Sequence, residues 1–165
     1  MKTCLTILGI LLLVLVMVVF LAILLTPWMN RWRTTPEERM TVYSGDELLA
    51  DPKRIVNRAV TINATPAQIY PWIVQMGADK AGMYSYTGLE RLVGCKMAKV
   101  EVIKSEWQNL KEGDLMKMCA GDFAPPPYIV ARIVQDQAVV YGHKENEDWV
   151  ELWQFVLIPQ ADGTT

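Results

Sequence analysis

The chain has 165 residues and a formal net charge of -2, which is enough for one domain and too near neutral for a nucleic-acid-binding surface. One histidine and three cysteines, with no Cys-x-x-Cys, leave little from which to build a zinc site, so no metal or other cofactor is expected. The scattered Cys4, Cys95 and Cys119 fit a reducing compartment better than a disulfide framework, with one bridge between Cys95 and Cys119 left open.

Taken from the N-terminus, no charge occurs between Lys2 and Arg31, and Leu5 to Leu25 is almost wholly Leu, Val, Ile, Met and Phe. As a helix rising about 1.5 Å per residue, that stretch covers roughly 31 Å, close to the hydrocarbon thickness of a bilayer. Trp28 and Trp32 come next with Arg31 and Arg33, where interfacial aromatics and cations belong. Thr26-Pro27-Trp28 supplies no small-x-small cleavage site, so the segment reads as an anchor rather than a cleaved signal peptide. Residues 1–30 are therefore expected to form a transmembrane anchor, meeting the lipid bilayer through residues 5–25. Arg31, Arg33 and Arg39 against Lys2 and the α-amino group favour a cytoplasmic side for the C-terminal domain.

Residues 31–53 are polar, contain Pro36 and Pro52, and read as a tether with a short helical piece near Gly45–Ala50. Residues 54–165 form the folded domain. A strand is expected at Val56–Ile62. Thr65-Pro66-Ala67-Gln68 then places a capping threonine, a first-position proline and a glutamine able to close a capping box. Ile69, Trp72, Ile73 and Met76 give one apolar stripe, and Gly77 is a natural terminator. A second short helix is expected from Thr87, with Glu90 three residues on. It should bury Leu89, Leu92 and Val93 and stop at Gly94.

Beyond Gly94 the pattern turns to strands: Ala98–Lys104, Leu115–Cys119, Tyr128–Val134, Ala138–Gly142 and Trp149–Ile158. Turn signals at Glu112-Gly113-Asp114, Pro125–Pro127, Gln135–Gln137 and Lys144–Asp148 separate them. Such short connections predict antiparallel hairpins, and the order of elements predicts an α+β fold. Both faces of the last strand are mostly apolar, so it is expected to be covered on both sides or to lie in the sheet's centre.

Gln75-Met76-Gly77, Ala81-Gly82-Met83-Tyr84-Ser85-Tyr86, Leu89-Glu90, Gly94, Trp107-Gln108 and Gly113-Asp114 together resemble a membrane-associated branch of the SRPBCC superfamily. This is the START-like, helix-grip group that includes polyketide cyclase/dehydrase and lipid-transport proteins. The resemblance covers roughly Arg54 to Gly163. It implies a strongly curved antiparallel sheet of about seven strands wrapped around a long C-terminal helix, with an apolar cavity between them. The seventh strand and that helix have no counterpart here, since the sequence stops at Asp162-Gly163-Thr164-Thr165.

The residues expected to line a ligand site are Trp72, Met76, Tyr84, Tyr86, Met116, Met118 and Trp153. Tyr84 and Tyr86 sit at a glycine-rich turn where a phenol can meet a ligand or simply pack and find a local partner. Met116 and Met118 share a strand face, suited to a plastic site or to plain packing. Glu90 fits a cap better than a pocket acid, and Asp114 fits a turn. Arg132 reads as an outward charge on a one-sided sheet or as a partner for a ligand carboxylate. His143, near Glu145, Glu147 and Asp148, lacks a visible nucleophile or orienting partner for general-base work. No catalytic residues are named, because no Ser/His/Asp set, phosphate loop or paired-carboxylate signature occurs. The leading expectation is membrane-tethered binding of a hydrophobic small molecule or lipid. A cyclase/dehydrase-type enzyme and an interaction protein using an open sheet face are the alternatives.

Overall fold

The computed structural model describes residues 2–121 and 124–165, with side chains from residue 6 onward. Helix α1 runs Lys2–Met29. Its Thr6–Met29 portion is long and apolar enough to cross a membrane, and none of it is buried among the described residues. Trp28 and Trp32 meet edge to face at its end, with ring centroids 4.4 Å apart. Helix α2, Pro36–Met40, is an element the tether reading did not contain. Its capping box is complete: Thr35 Oγ1 accepts from the Glu38 N–H at 3.1 Å and the Glu38 carboxylate accepts from the Thr35 N–H at 2.7 Å.

Two compact units result, and they cut the chain differently from the expected boundaries. One comprises residues 1–41 with 54–60; the other comprises 42–53 with 61–165. In the first, the segment expected as the strand Val56–Ile62 is extended but not a strand. Its Asn57 and Ala59 N–H groups donate to the carbonyls of Asn30 and Trp32 at 3.0 Å each. A strand needs a ladder, and none forms: these two bonds reach only the few residues just after α1, and in the second unit Ile62 exchanges a single pair of backbone hydrogen bonds, 2.8 and 3.0 Å, with Thr165.

The second unit opens with a short 3-10 turn, Asp46–Leu48, and then α3, Pro66–Val74. The expected start of α3 is observed: Gln68 Oε1 accepts from the Thr65 N–H at 2.9 Å. Helix α4 is Thr87–Leu92. Four strands form one antiparallel sheet in the order β1-β2-β3-β4: Leu115–Met116, Tyr128–Val134, Ala138–Glu145 and Asp148–Val156. Asp136 and Asn146 turn the two hairpins with φ of +55° and +53°, a left-handed geometry that Asp and Asn tolerate better than other side chains.

The fold class is thus α+β with an open, four-stranded antiparallel sheet. Several expectations are corrected. Thr87 is the first residue of α4 rather than its cap, and Leu89, Leu92 and Val93, expected to be buried, are exposed. Ala98–Lys104 is irregular, with a bend at Val102 and no strand ladder, and leads into a 3-10 turn at Ser105–Trp107. The strand expected to Cys119 ends at Met116. The last strand lies at the sheet's edge rather than its centre; its apolar character is used side-on, with Trp153 and Phe155 against the core on one face. On the other face Gln154 donates to Asp46 at 2.9 Å, and Gly45 (φ +104°) lies so close to β3 that a Cβ would come within 2.8 Å of the Val140 side chain.

The core joins α3 to the sheet through Tyr70, Val74, Met76, Met116, Val130, Val139, Tyr141 and Leu157. Tyr141 is fully buried, and its hydroxyl donates to the Ile73 carbonyl at 3.2 Å. Cys95 and Cys119 are joined in a disulfide, with Cα atoms 5.2 Å apart, the one bridge that the sequence left open.

Candidate functional site

The end of α3 and the turn after it build the most suggestive site. The chain doubles back through a bridge in which Gly77 and Gly82 exchange hydrogen bonds of 3.0 and 2.8 Å. Gly82 has φ +87°, and a Cβ there would strike the Ala98 carbonyl. Only glycine lets the 98–101 segment pass so near, and the Val100 N–H then donates to the Ala81 carbonyl at 3.3 Å.

Gln75, fully buried, ties these pieces together. Its Nε2 donates to the Tyr84 hydroxyl at 3.0 Å and to the Val102 carbonyl at 3.1 Å. Its Oε1 accepts from the Lys104 N–H at 3.1 Å and from Gln108 Nε2 at 3.3 Å. Every hydrogen-bonding position of a primary amide is thereby engaged, which is what lets it sit away from water. The Gln75, Tyr84 and Gln108 positions in the motif are explained as parts of one network. Tyr84 has φ +53°, a costly conformation for a side chain of this size, which persists when its surroundings over-determine it. Here Gln75 holds the hydroxyl and Trp72 meets the ring edge to face at 5.9 Å. Burial raises the Tyr84 phenol above its ordinary pKa, with the Gln75 hydrogen bond acting the other way.

Between α3, this turn, α4 and the 98–101 segment lies a cavity of about 320 Å³. Trp72, Ala81 and Met83 form walls from one side, Ala98 and Val100 from another, and Tyr84, Ser85, Thr87 and Glu90 complete it. Its charged groups are already engaged. Glu90 accepts a hydrogen bond from the Ser85 hydroxyl, and Glu101 pairs with Lys99 at 2.7 Å. The hydrogen bond from Lys99, with its charge, holds the Glu101 carboxyl below its ordinary pKa. Tyr84 Oη already accepts from Gln75 and the Ser85 hydroxyl already donates to Glu90, so what remains for a ligand is largely apolar surface, a lining suited to a hydrophobic molecule.

Of the seven residues expected to line a site, the structure brings together Trp72 and Tyr84. Met76 and Met116 are buried in the core, and Met118 packs against it. Trp153 lies in an aromatic row on the sheet, 4.8 Å from Phe155 and 5.8 Å from Tyr128. Tyr86 points to solvent. The cavity walls that went unnamed, Ala98 to Glu101, belong to a stretch that reads locally as a strand; nothing local says that it passes α3.

A second cluster occupies the far end of the sheet. Glu151 is paired across the β3–β4 hairpin with His143. Its carboxylate accepts from the Tyr128 hydroxyl at 3.1 Å and meets His143 Nδ1 at 3.0 Å. His143 Nε2 faces the Pro126 carbonyl at 3.3 Å, and the imidazole stacks on the Tyr128 ring at 4.0 Å. Burial and then the bond to Glu151 push the Tyr128 phenol up to about 12. Both ring nitrogens of His143 face acceptors, so the arrangement clasps β2 to β3 and β4 and leaves no free nitrogen for general-base work. Counting outward from the Asn146 turn brings Glu151 near His143, although the register shift at Lys144 displaces that count by one. Arg132 pairs with Glu47 at 2.9 Å, and Asp114 accepts from the Lys111 N–H at 2.9 Å, a turn contact. Among the described residues, no three His, Cys, Asp or Glu side chains converge on a metal position.

Compared with protein-family models, curated proteins and solved structures, the chain matches none.

Proposed function

We propose that this protein is a membrane-tethered binding module for a hydrophobic small molecule or lipid, and that the cavity beside Trp72 and Tyr84 is its site. The cavity carries the reading: about 320 Å³ falls at the lower end of the ~300–1,000 Å³ usual for ligand pockets, with Glu101 paired to Lys99 and Glu90 hydrogen-bonded by Ser85. Helix α1 supports the tether, since Thr6–Met29 meets the length and composition of a span. Membership of the START-like, helix-grip group rests on the motif residues, with α3 laid against an antiparallel sheet in support. No described pair of groups supports acid–base chemistry in the cavity, so binding stands ahead of the cyclase/dehydrase alternative. The Cys95–Cys119 bridge supports an oxidising compartment for the domain, and it outweighs the opposing charge bias, which rests on Arg31, Arg33 and Arg39 against Lys2.

The test is native mass spectrometry with lipid extraction on the full chain, solubilised from its own membrane. A stoichiometric apolar ligand, absent when Ala98→Phe fills the cavity, is the expected result. A folded protein that emerges empty, or a ligand retained undiminished by Ala98→Phe, overturns the assignment.

A further inference from the structure

Helix α4 is amphipathic in the wrong sense for a water-facing helix. The side chains turned inward are polar: Thr87 and Glu90 line the cavity and are only partly exposed. The side chains turned outward are large and apolar. Tyr86 is 80% exposed, Leu89 62%, Leu92 82% and Val93 76%. Leu89 and Leu92, three residues apart, are neighbours on the helix surface, and Tyr86 and Val93 are the caps at its two ends. A surface helix in water buries such side chains and exposes its polar side. Four such side chains clustered within eight residues form a patch rather than scattered surface hydrophobics.

The patch is also held in place. The Cys95 N–H donates to the Glu90 carbonyl at 2.8 Å, closing the helix end. The disulfide then fastens Cys95 to Cys119, and the Lys96 N–H donates to the Ala120 carbonyl at 2.9 Å. Arg91 and Lys96, close to these side chains in sequence, are exposed and form no ion pair among the described residues. Exposed apolar side chains with an aromatic phenol at one end and long cationic side chains nearby are the composition that seats a helix in the headgroup region.

We infer that the outward face of α4, Tyr86, Leu89, Leu92 and Val93, docks on a phospholipid bilayer, with Arg91 and Lys96 reaching anionic headgroups. This rests on the reading of α1 as a membrane anchor. That anchor keeps a bilayer at high effective concentration, so a patch too small to bind membranes unaided is engaged there without independent affinity. Because the inner side of the same helix walls the cavity, docking sets the cavity rim at the lipid surface, where a hydrophobic ligand can exchange without crossing water.

The experiment uses the full chain in nanodiscs of phosphatidylcholine and phosphatidylserine doped with a phospholipid bearing a diazirine near its headgroup. After irradiation, labelled peptides are mapped by mass spectrometry. Label on α1 and on the 86–93 peptide is expected. In Leu89→Glu/Leu92→Glu, label at 86–93 should fall by roughly tenfold or more while that on α1 is unchanged. Both side chains are exposed, so the fold should tolerate the change, and an intact Cys95–Cys119 bridge in the digest verifies it. Label on α1 with none at 86–93 of the wild type overturns the docking proposal and leaves the anchor standing. Cross-links joining this patch to a second copy, without lipid label, overturn it in favour of self-association. Absence of label on α1 removes the anchor reading and the proposal together.

Discussion

Strands β2 to β4 and the segment from Tyr84 to Ile103 belong to the same compact unit but are held together by different means. In the sheet, Val130, Val139, Val140 and Tyr141 are almost completely buried, and ladder bonds run the length of both hairpins. In the other region, Tyr86, Leu89, Leu92, Val93 and Val102 are exposed, and no strand ladder forms. Its order comes from a buried amide, a disulfide and a glycine bridge. The comparison teaches that this fold separates its stability from its site. Apolar burial maintains the sheet, while a few specific polar and covalent links position the cavity wall and leave its apolar side chains exposed.

The sharpest way to break that comparison is to truncate one large side chain in each region. Tyr141→Ala removes a fully buried ring and a hydroxyl bonded to Ile73, and should cost about 3–5 kcal/mol in urea unfolding of the solubilised protein. Leu92→Ala, on the exposed face, should stay within about 0.5 kcal/mol. A loss at Leu92 as large as that at Tyr141 would mean that α4 is packed in solution.

Removing the disulfide comes next. Cys95 and Cys119 are 24 residues apart in sequence, and opening a loop of that size costs about 3 kcal/mol in the chain-entropy view. The Cys95→Ser/Cys119→Ser variant should show that loss in the same unfolding assay. Without reductant, a maleimide should modify neither cysteine in protein from its own membrane; rapid modification of both would return the domain to a reducing compartment.

Gln75→Leu is of middle size. It leaves the Lys104 N–H and Tyr84 hydroxyl without the partners they now have, at roughly 1–3 kcal/mol for each group stranded. Amide hydrogen exchange should accelerate from Tyr84 to Gln108, while β2 to β4 keep their protection. Uniform acceleration would show that the two regions are one cooperative block.

The smallest effect is a pH dependence carried by tyrosines whose phenols burial holds above their ordinary pKa. Tyr128 titrates at about 12 in the folded protein against about 10 when unfolded. Its contribution is complete below pH ~10 and is lost as the pH rises through about 12, because the unfolded chain releases the proton first. Tyr70 and Tyr141, also raised by burial, act in the same direction. Stability should therefore fall between those values, and Tyr128→Phe should flatten part of the slope.

Much of the secondary structure was legible because its causes are local. The long apolar run of α1, the Thr65–Gln68 capping box and the turns at Asp136 and Asn146 are each decided by neighbours within a few residues. Helix α2 was missed although Thr35 and Glu38 spell the same capping box. Its signal was present and the polar composition hid it. Two expected strands failed for a different reason. Val56–Ile62 and Ala98–Lys104 have strand-like composition, but a strand exists only when a partner lies beside it.

The sequence by itself determined an apolar helix of membrane-spanning length and an α+β order of elements. Each comes from residue type and spacing. Only the tertiary structure decided that Gln75 is the hub beneath that site, that Glu151 rather than an acid nearer in sequence meets His143, and that α4 turns its polar side inward. Periodicity identifies the apolar side of a helix, but which way that side faces depends on what the rest of the chain, or a membrane, brings against it.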